Sequence, residues 1–276
     1  MNKPIKAAIC QMQTGTDKQF NLNKASQMIA EAADMGAELV VLPEVFNSPY
    51  DTSCFADYAE PVPGPTFNFL SRCAGKHKVT LVGGTFIEKD GDGKLFNTSY
   101  TFDADGNMLG RHRKVHLFDI DIPGQVTFKE SSVLSAGKDI TIIKQANLHM
   151  GIMICYDCRF PELARAMTLK GAEVLVIPAG FNRSTGPLHW ELLMRSRAVD
   201  NEVFVLAAGS AYNPDASYQA WGHSMIIDPR GNIIAYTDDK EGIILAELDL
   251  TAVKRAREEI PVLKHRREDV YKLIYE

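Results

Sequence analysis

One segment of this chain occurs twice. Residues 36–47 read GAELVVLPEVFN and residues 171–182 read GAEVLVIPAGFN, identical at seven of twelve positions. A repeat at such a distance constrains a fold more than any single motif, because each copy must bury the same face in the same kind of unit. A second echo reinforces it. LVGGT (81–85) faces LAAGS (206–210), and FNTSYTFDADGNMLG (96–110) faces WGHSMIIDPRGNIIA (221–235). The shared Asp-x-x-Gly-Asn between apolar runs predicts a hairpin, with glycine in the left-handed position.

Each half therefore predicts strand, helix, strand, helix, strand, hairpin. In the first half, Asn21 or Asn23 caps a helix running to Met35, with Gly36 as its stop. LVVLP follows as a buried strand, Pro65 opens a second helix to about Ala74, and VTLVGGTF forms the next strand. In the second half, Pro161 suits the first turn of a helix that ends at Lys170. VLVIP, a helix over LHWELLMRSRAVDN, and the strand VFVLAAG complete it. Strands alternating with helices imply sheets covered by helices. Two such halves pack most simply sheet against sheet, predicting an α/β fold: a four-layer α-β-β-α sandwich with an internal pseudo-two-fold. No linker-like segment separates the halves, so residues 1–276 are expected to form one domain. Residues 250–276 are expected to form a C-terminal helix and a possible oligomerisation arm.

Charge limits the partners. Thirty basic against thirty-five acidic residues give a net charge of −5, which offers no broad basic field for nucleic acid or an anionic membrane. No apolar run approaches the roughly 20 residues that span a bilayer. The N-terminus reads as a first strand rather than a signal peptide. Five widely spread cysteines do not suggest a disulfide framework, so a reducing cytoplasm is expected.

The reactive residue types sit at strand ends, where α/β proteins place function. In HMGIMICYDCRFPE, an apolar strand delivers Cys155 to a turn before Pro161. A nucleophile and a small buried hydrophobe both fit that position. Cys155 and Cys158 also form a C-x-x-C. A zinc site would need two further ligands at suitable spacing, and a redox dithiol normally opens a chain's first β-α unit. Glu44 emerges from ELVVLP, where partial burial would raise its pKa and suit it to act as a general base. Lys114, in RHRKVHL, alternates with Val115 and Leu117 and so can point inward, where a lysine needs a partner. Neither Glu44 nor the basic stretch has a counterpart in the second copy; Ala179 stands opposite Glu44.

Glu after LP, Lys in RKVHL and Cys in ICYDCRFPE, in that order, closely resemble the nitrilase, or carbon–nitrogen hydrolase, superfamily over about residues 5–271. The resemblance implies the α-β-β-α fold and hydrolysis of amides or nitriles without a metal or other cofactor. It implies Glu44 as general base, Lys114 as transition-state stabiliser, Cys155 as nucleophile and Glu130 as a second glutamate beside the thiol. RKVHLFDIDIPGQVTFKES, FNRSTGPLHWELLMRSRAVDN and WGHSM resemble the ω-amidase subgroup, which cleaves the terminal amide of α-ketoglutaramate and α-ketosuccinamate. The neighbouring subgroup acts on deaminated glutathione, and N-carbamoyl amino-acid hydrolysis is a further alternative on the same scaffold. A small amide bearing a carboxylate is thus the expected partner. The backbone N–H of Tyr156 is expected to meet the oxyanion. Arg159 is the candidate carboxylate clamp, unless it pairs with Asp157 or Glu162. Tyr50, His116, Phe181 and Thr185 match pocket-lining positions, and Phe46, Asn47 and Asn182 are expected to shape the mouth with Phe181. Arg183 departs from the subgroup and either assists Arg159 or lies on the surface. The family's habit of association implies a homodimer or higher homo-oligomer.

Overall fold

The computed structural model describes residues 3–124, 126–145 and 147–275. The first half contains β1 (Ile5–Gln11), α1 (Lys18–Asp34), β2 (Leu39–Val41), the short α2 (Phe55–Tyr58) and α3 (Pro65–His77). β3 (Thr80–Val82), β4 (Phe86–Lys89), β5 (Leu95–Phe102) and β6 (Met108–Arg113) complete its sheet. A separate hairpin, β7 (Asp119–Ile122) and β8 (Val126–Lys129), leads through β9 (Ile142–Gln145) into the second half. There lie β10 (Leu148–Ile152), α4 (Pro161–Leu169), β11 (Val174–Ala179), α5 (Gly186–Asn201), β12 (Phe204–Gly209), β13 (Met225–Ile227) and β14 (Ile233–Tyr236). β15 (Gly242–Leu248) and α6 (Thr251–Glu259) follow.

The duplication is visible in strand order. One sheet runs β15-β1-β2-β3-β5-β4, with β6 also on β5; the other runs β14-β13-β12-β11-β10-β9. β1, β2 and β3 pair in parallel and β3 meets β5 antiparallel, as β10, β11, β12 and β13 do in the second sheet. Strand alternation then sorts side chains between two faces. Ile9, Leu39 and Val41 of the first sheet share a buried cluster with Ile152, Val176 and Leu206 of the second, so the sheets pack face to face. Val40 and Leu81 turn outward onto Ile29 of α1 and Leu70 of α3. Leu175 and Val205 likewise meet Met167 of α4 and Trp190 of α5. The layers are helices, sheet, sheet, helices.

Several local expectations are corrected. Asp17, not Asn21 or Asn23, caps α1, its carboxylate accepting from the Phe20 N–H at 3.0 Å. Asn21 lies buried inside the helix and bonds both backbone groups of Gly15. VTLVGGTF is two strands rather than one. Gly84 turns the chain with φ +57°, and a Cβ there would lie 2.1 Å from the Pro43 carbonyl oxygen; only glycine allows that approach. The C-terminal helix stops at Glu259, ahead of Ile260-Pro261, because proline disfavours helical backbone in the residue before it. Residues 260–275 contain no further helix or strand. The two Asp-x-x-Gly-Asn turns form as expected, with Gly106 and Gly231 both at φ +84°. No helix among the described residues is long and apolar enough to cross a membrane.

Candidate active site

Glu44, Lys114, Glu130 and Cys155 converge at the C-terminal ends of β2 and β10, each delivered by a different device. β2 runs into Pro43 and Glu44. Alternation along β6 turns His112 and Lys114 inward, while Arg111 and Arg113 face outward to Glu88. Lys114 thus points inward as its alternation with Val115 and Leu117 suggested, and those two residues are half-buried. The β7–β8 hairpin brings Glu130 back beside Phe118, whose N–H donates to Glu130 Oε2 at 2.7 Å. Cys155 ends the run from β10 and starts a short helical turn, Cys155–Arg159, with φ +44°. A non-glycine residue holds that conformation only where its surroundings enforce it.

The four groups form one buried network. Lys114 Nζ donates to Glu44 Oε1 at 2.9 Å and to Glu130 at 3.0 Å, and both side chains of each pair are fully buried. Tyr50 OH lies 2.8 Å from Glu130 Oε1 and 3.3 Å from both Glu44 Oε1 and Lys114 Nζ. Asn97 Nδ2 donates to Glu44 Oε1 at 2.8 Å, and the Gly180 N–H donates to Glu44 Oε2 at 2.9 Å. The Cys155 thiol lies near enough to this network to feel the charges of Glu44 and Lys114.

Burial sets the proton inventory. It pushes the Glu44 carboxyl up; Lys114 opposes that and Glu130 reinforces it. Burial alone would lower the Lys114 ammonium, but Glu130 and Glu44 outweigh it and hold the group above the ordinary lysine value. Burial and the Glu44 charge push the Cys155 thiol well up, against the pull of Lys114. The resting site therefore holds a protonated thiol and a charged lysine, with Glu44 the natural recipient of the thiol proton.

The cavity over Cys155 is narrow, about 10 Å³, and is lined by Phe118, Tyr156, Arg159, Phe181, Asn182, Thr185 and Tyr218. Arg159 stands in it over the rings of Phe181 and Tyr156. Among the described residues its one polar side-chain partner is His189 at 3.3 Å, and no acidic side chain pairs with it, including Asp157 and Glu162. A larger cavity of about 670 Å³ reaches Glu44, Tyr50 and Gly180 from the side of Asp51, Asp215 and Ser217, and Tyr218 lines both spaces.

Other expected site residues lie elsewhere. His116 is outside this lining: its ring stacks on Phe160 at 3.6 Å and bonds Asp157 at 2.8 Å. Phe46 is fully buried in the helix-side core, and Asn47 bonds Thr66, so neither shapes the mouth. Asn182 does, with Oδ1 accepting from the Ser184 and Thr185 N–H groups. Arg183 pairs with Asp239 at 3.0 Å over Tyr212, away from Arg159. Cys158 is a buried free thiol pushed up to about 12, mainly by burial. No group of three or more His, Cys, Asp or Glu among the described residues is arranged to hold a metal.

Asn97, Gly180 and Tyr218 escaped the sequence reading, as did the bonding of Asp157 to His112 and His116. A signal existed for two of them. The second echo sets Asn97 against Gly222 just as the first sets Glu44 against Ala179, so the carboxylate and its donor are missing together from the other copy. Gly180 lies in that copy and donates back to Glu44.

The carbon–nitrogen hydrolase family model matches residues 6–258. Omega-amidase NIT2 of Danio rerio is 47% identical over 97% of this chain and 96% of its own length. That of Mus musculus is 46% identical with the same coverage. Among solved structures, Saccharomyces cerevisiae Nit3, a member of branch 10 of the nitrilase superfamily, superposes with a TM-score of 0.89 at 44% identity, covering 97% of this chain and 98% of that one. The Caenorhabditis elegans NitFhit protein gives 0.91 at 33% identity, over 100% of this chain and 68% of that one. With the buried Glu-Lys-Glu-Cys network at its strand ends and this similarity along nearly its whole length, the chain belongs to the carbon–nitrogen hydrolase family.

Proposed function

We propose that this enzyme is an ω-amidase, a cysteine amidase that hydrolyses the terminal amide of short dicarboxylate monoamides of the α-ketoglutaramate and α-ketosuccinamate type. The observation that carries the substrate class is Arg159, a guanidinium with no acidic partner among the described residues, in the same narrow cavity as Cys155. Its fork suits a substrate carboxylate, and similarity to ω-amidases supports the same reading.

In the first step Glu44 takes the Cys155 proton as sulfur attacks the amide carbon. The oxyanion is met by the Lys114 ammonium and the Tyr156 N–H; one such donor contributes about 2.7–4 kcal/mol. Glu44 returns the proton to nitrogen, the C–N bond breaks, and ammonia leaves a thioester on Cys155. Water, deprotonated by Glu44 with Glu130 alongside, then attacks the thioester. The carboxylic acid departs and the thiol regains its proton. Tyr50 holds the two glutamates in register, while Phe181 and Thr185 border the acyl chain. A thiol nucleophile must stay reduced, so a cytoplasmic setting is part of the proposal.

The test replaces Arg159 by leucine. With α-ketoglutaramate, kcat/KM should fall by about 1.5–3 kcal/mol, the worth of a hydrogen bond to a charged group, mostly through KM. Cleavage of a short amide without the carboxylate should change far less. Equal losses on both substrates would remove the clamp. Wild-type preference for deaminated glutathione or an N-carbamoyl amino acid in side-by-side kcat/KM would replace the ω-amidase assignment.

The proposal extends to a homodimer or higher homo-oligomer. Leu188, Leu192 and Val199 form an exposed apolar row on α5, and Val270, Tyr271 and Ile274 expose more apolar surface in the C-terminal segment. Such surface on both elements suits association. Sedimentation should give a mass at least twice 30.6 kDa; a monomer at micromolar concentration would refute it.

A further inference from the structure

Asp157 is fully buried, and the mechanism above gives it no role. Its carboxylate nevertheless has four contacts. Oδ2 accepts from the Ile154 N–H at 3.0 Å and faces His112 Nε2 at 3.2 Å. Oδ1 accepts from the His116 N–H at 2.9 Å and faces His116 Nδ1 at 2.8 Å. An ionised carboxylate only accepts, so both rings present N–H to it. Burial would push this carboxyl up, but the two histidines and the Ile154 N–H hold it well below the usual range.

The positions of these donors matter more than their number. His112 and His116 stand two residues before and two residues after Lys114. Ile154 immediately precedes Cys155, and Asp157 lies two residues beyond it. One carboxylate therefore ties the segment carrying the ammonium to the turn carrying the thiol. The two segments come from different sheets, β6 in the first and β10 in the second. The turn is also where Cys155 holds its positive φ. An ionised, multiply bonded group is well suited to enforce a strained backbone.

We infer that Asp157 is a positioning residue, whose charge fixes the Cys155 turn against the Lys114 strand end through His112, His116 and the Ile154 N–H. This rests on the amidase reading for its kinetic consequence but not for its geometry. Asparagine would keep the shape and lose one acceptor. His112 can adapt, because its other nitrogen meets the Thr141 hydroxyl at 3.0 Å, a group that both donates and accepts. The Ile154 N–H cannot adapt, and would face an NH₂ group.

The experiment compares wild type, Asp157→Asn and His116→Phe as full-length protein. It measures kcat and KM with α-ketoglutaramate and the rate at which iodoacetamide alkylates Cys155. Asp157→Asn should lower kcat by about 10²-fold, the usual effect of a displacement near 1 Å, and should raise KM less than Arg159→Leu does, because the guanidinium itself is kept. Alkylation should slow in parallel. His116→Phe keeps the stack on Phe160 and should show a smaller loss of the same kind. An Asp157→Asn enzyme that only melts earlier, with kcat and alkylation intact, would overturn the inference. If Asp157→Asn does not fold, unchanged kcat and alkylation in His116→Phe overturn it instead. Wild-type protein that releases no ammonia would count against the ω-amidase reading alone, since the alkylation rates still report the turn.

Discussion

Cys155→Ala should reduce ammonia release from α-ketoglutaramate by on the order of 10⁴-fold or more, the scale seen when a covalent nucleophile is removed from an otherwise intact site. Cys158→Ala should keep most of the activity. The two thiols are three residues apart in one turn, so the pair of variants separates their chemistry cleanly. Cys155 lies near enough to Glu44 and Lys114 to feel both charges. Cys158 points into the helix-side core with Leu163, Met167 and Met194. Burial pushes both thiols up, Cys158 to about 12, so almost no thiolate forms at neutral pH without a base to take the proton, and it is Cys155 that feels the Glu44 carboxylate. Equal loss in both variants would instead favour a dithiol. Folding should survive Cys155→Ala, because removing one sulfur from the rim of a small cavity deletes little packing.

The duplicated segment explains which parts of this site were legible beforehand. Repeated letters such as Val41/Val176 and Pro43/Pro178 build matching strands, and the fold follows from them through periodicity alone. Chemistry begins where the copies differ. Register pairs Ala7–Ile9 with Leu39–Val41 and Met150–Ile152 with Val174–Val176, so Met12 is the counterpart of Cys155. The thiol thus belongs to one half and the Glu44 carboxylate to the other, with methionine and alanine at the two equivalent positions. A function split across an approximate two-fold appears in sequence only as mismatched letters. What stayed hidden is contact between segments far apart in the chain. Asn97 and Gly180 reach Glu44 from 53 and 136 residues away, and no local pattern encodes such distances. His116 was misplaced for a related reason. Its match to a pocket-lining position of the family suggested the pocket, but alternation beyond β6 does not persist through the bend, and Asp157 captures the ring. The N-cap of α1 was misread because an asparagine inside a helix and one at its start look alike in sequence; Asn21 instead serves the loop at Gly15.

Lys114→Met should have the other large effect, on stability as well as on rate. Among the described residues, Lys114 is the one cation within bonding distance of Glu44 and Glu130 in that buried network. Methionine fills much the same volume but leaves two carboxylates facing each other out of water. Breaking a buried ion pair from one side costs about 3–5 kcal/mol, a large part of a typical domain's stability. The loss should depend on pH with a definite sign. Glu44 is already raised by burial and by Glu130, and Lys114 is what holds it down. Without the lysine, its folded-state pKa rises further above the unfolded value, so the folded protein binds a proton that the unfolded chain releases. Stability of the variant is then greatest below the ordinary glutamate pKa and declines as pH rises through the raised one. Denaturant unfolding at pH 5 and pH 8 should therefore show a larger deficit relative to wild type at pH 8. Activity should stay lost at both values, since at the lower pH Glu44 is protonated and cannot accept the thiol proton, and at the higher pH no ammonium meets the oxyanion. A deficit that is equal at the two pH values would mean that Glu44 and Glu130 do not share the lysine as one charge-balanced unit.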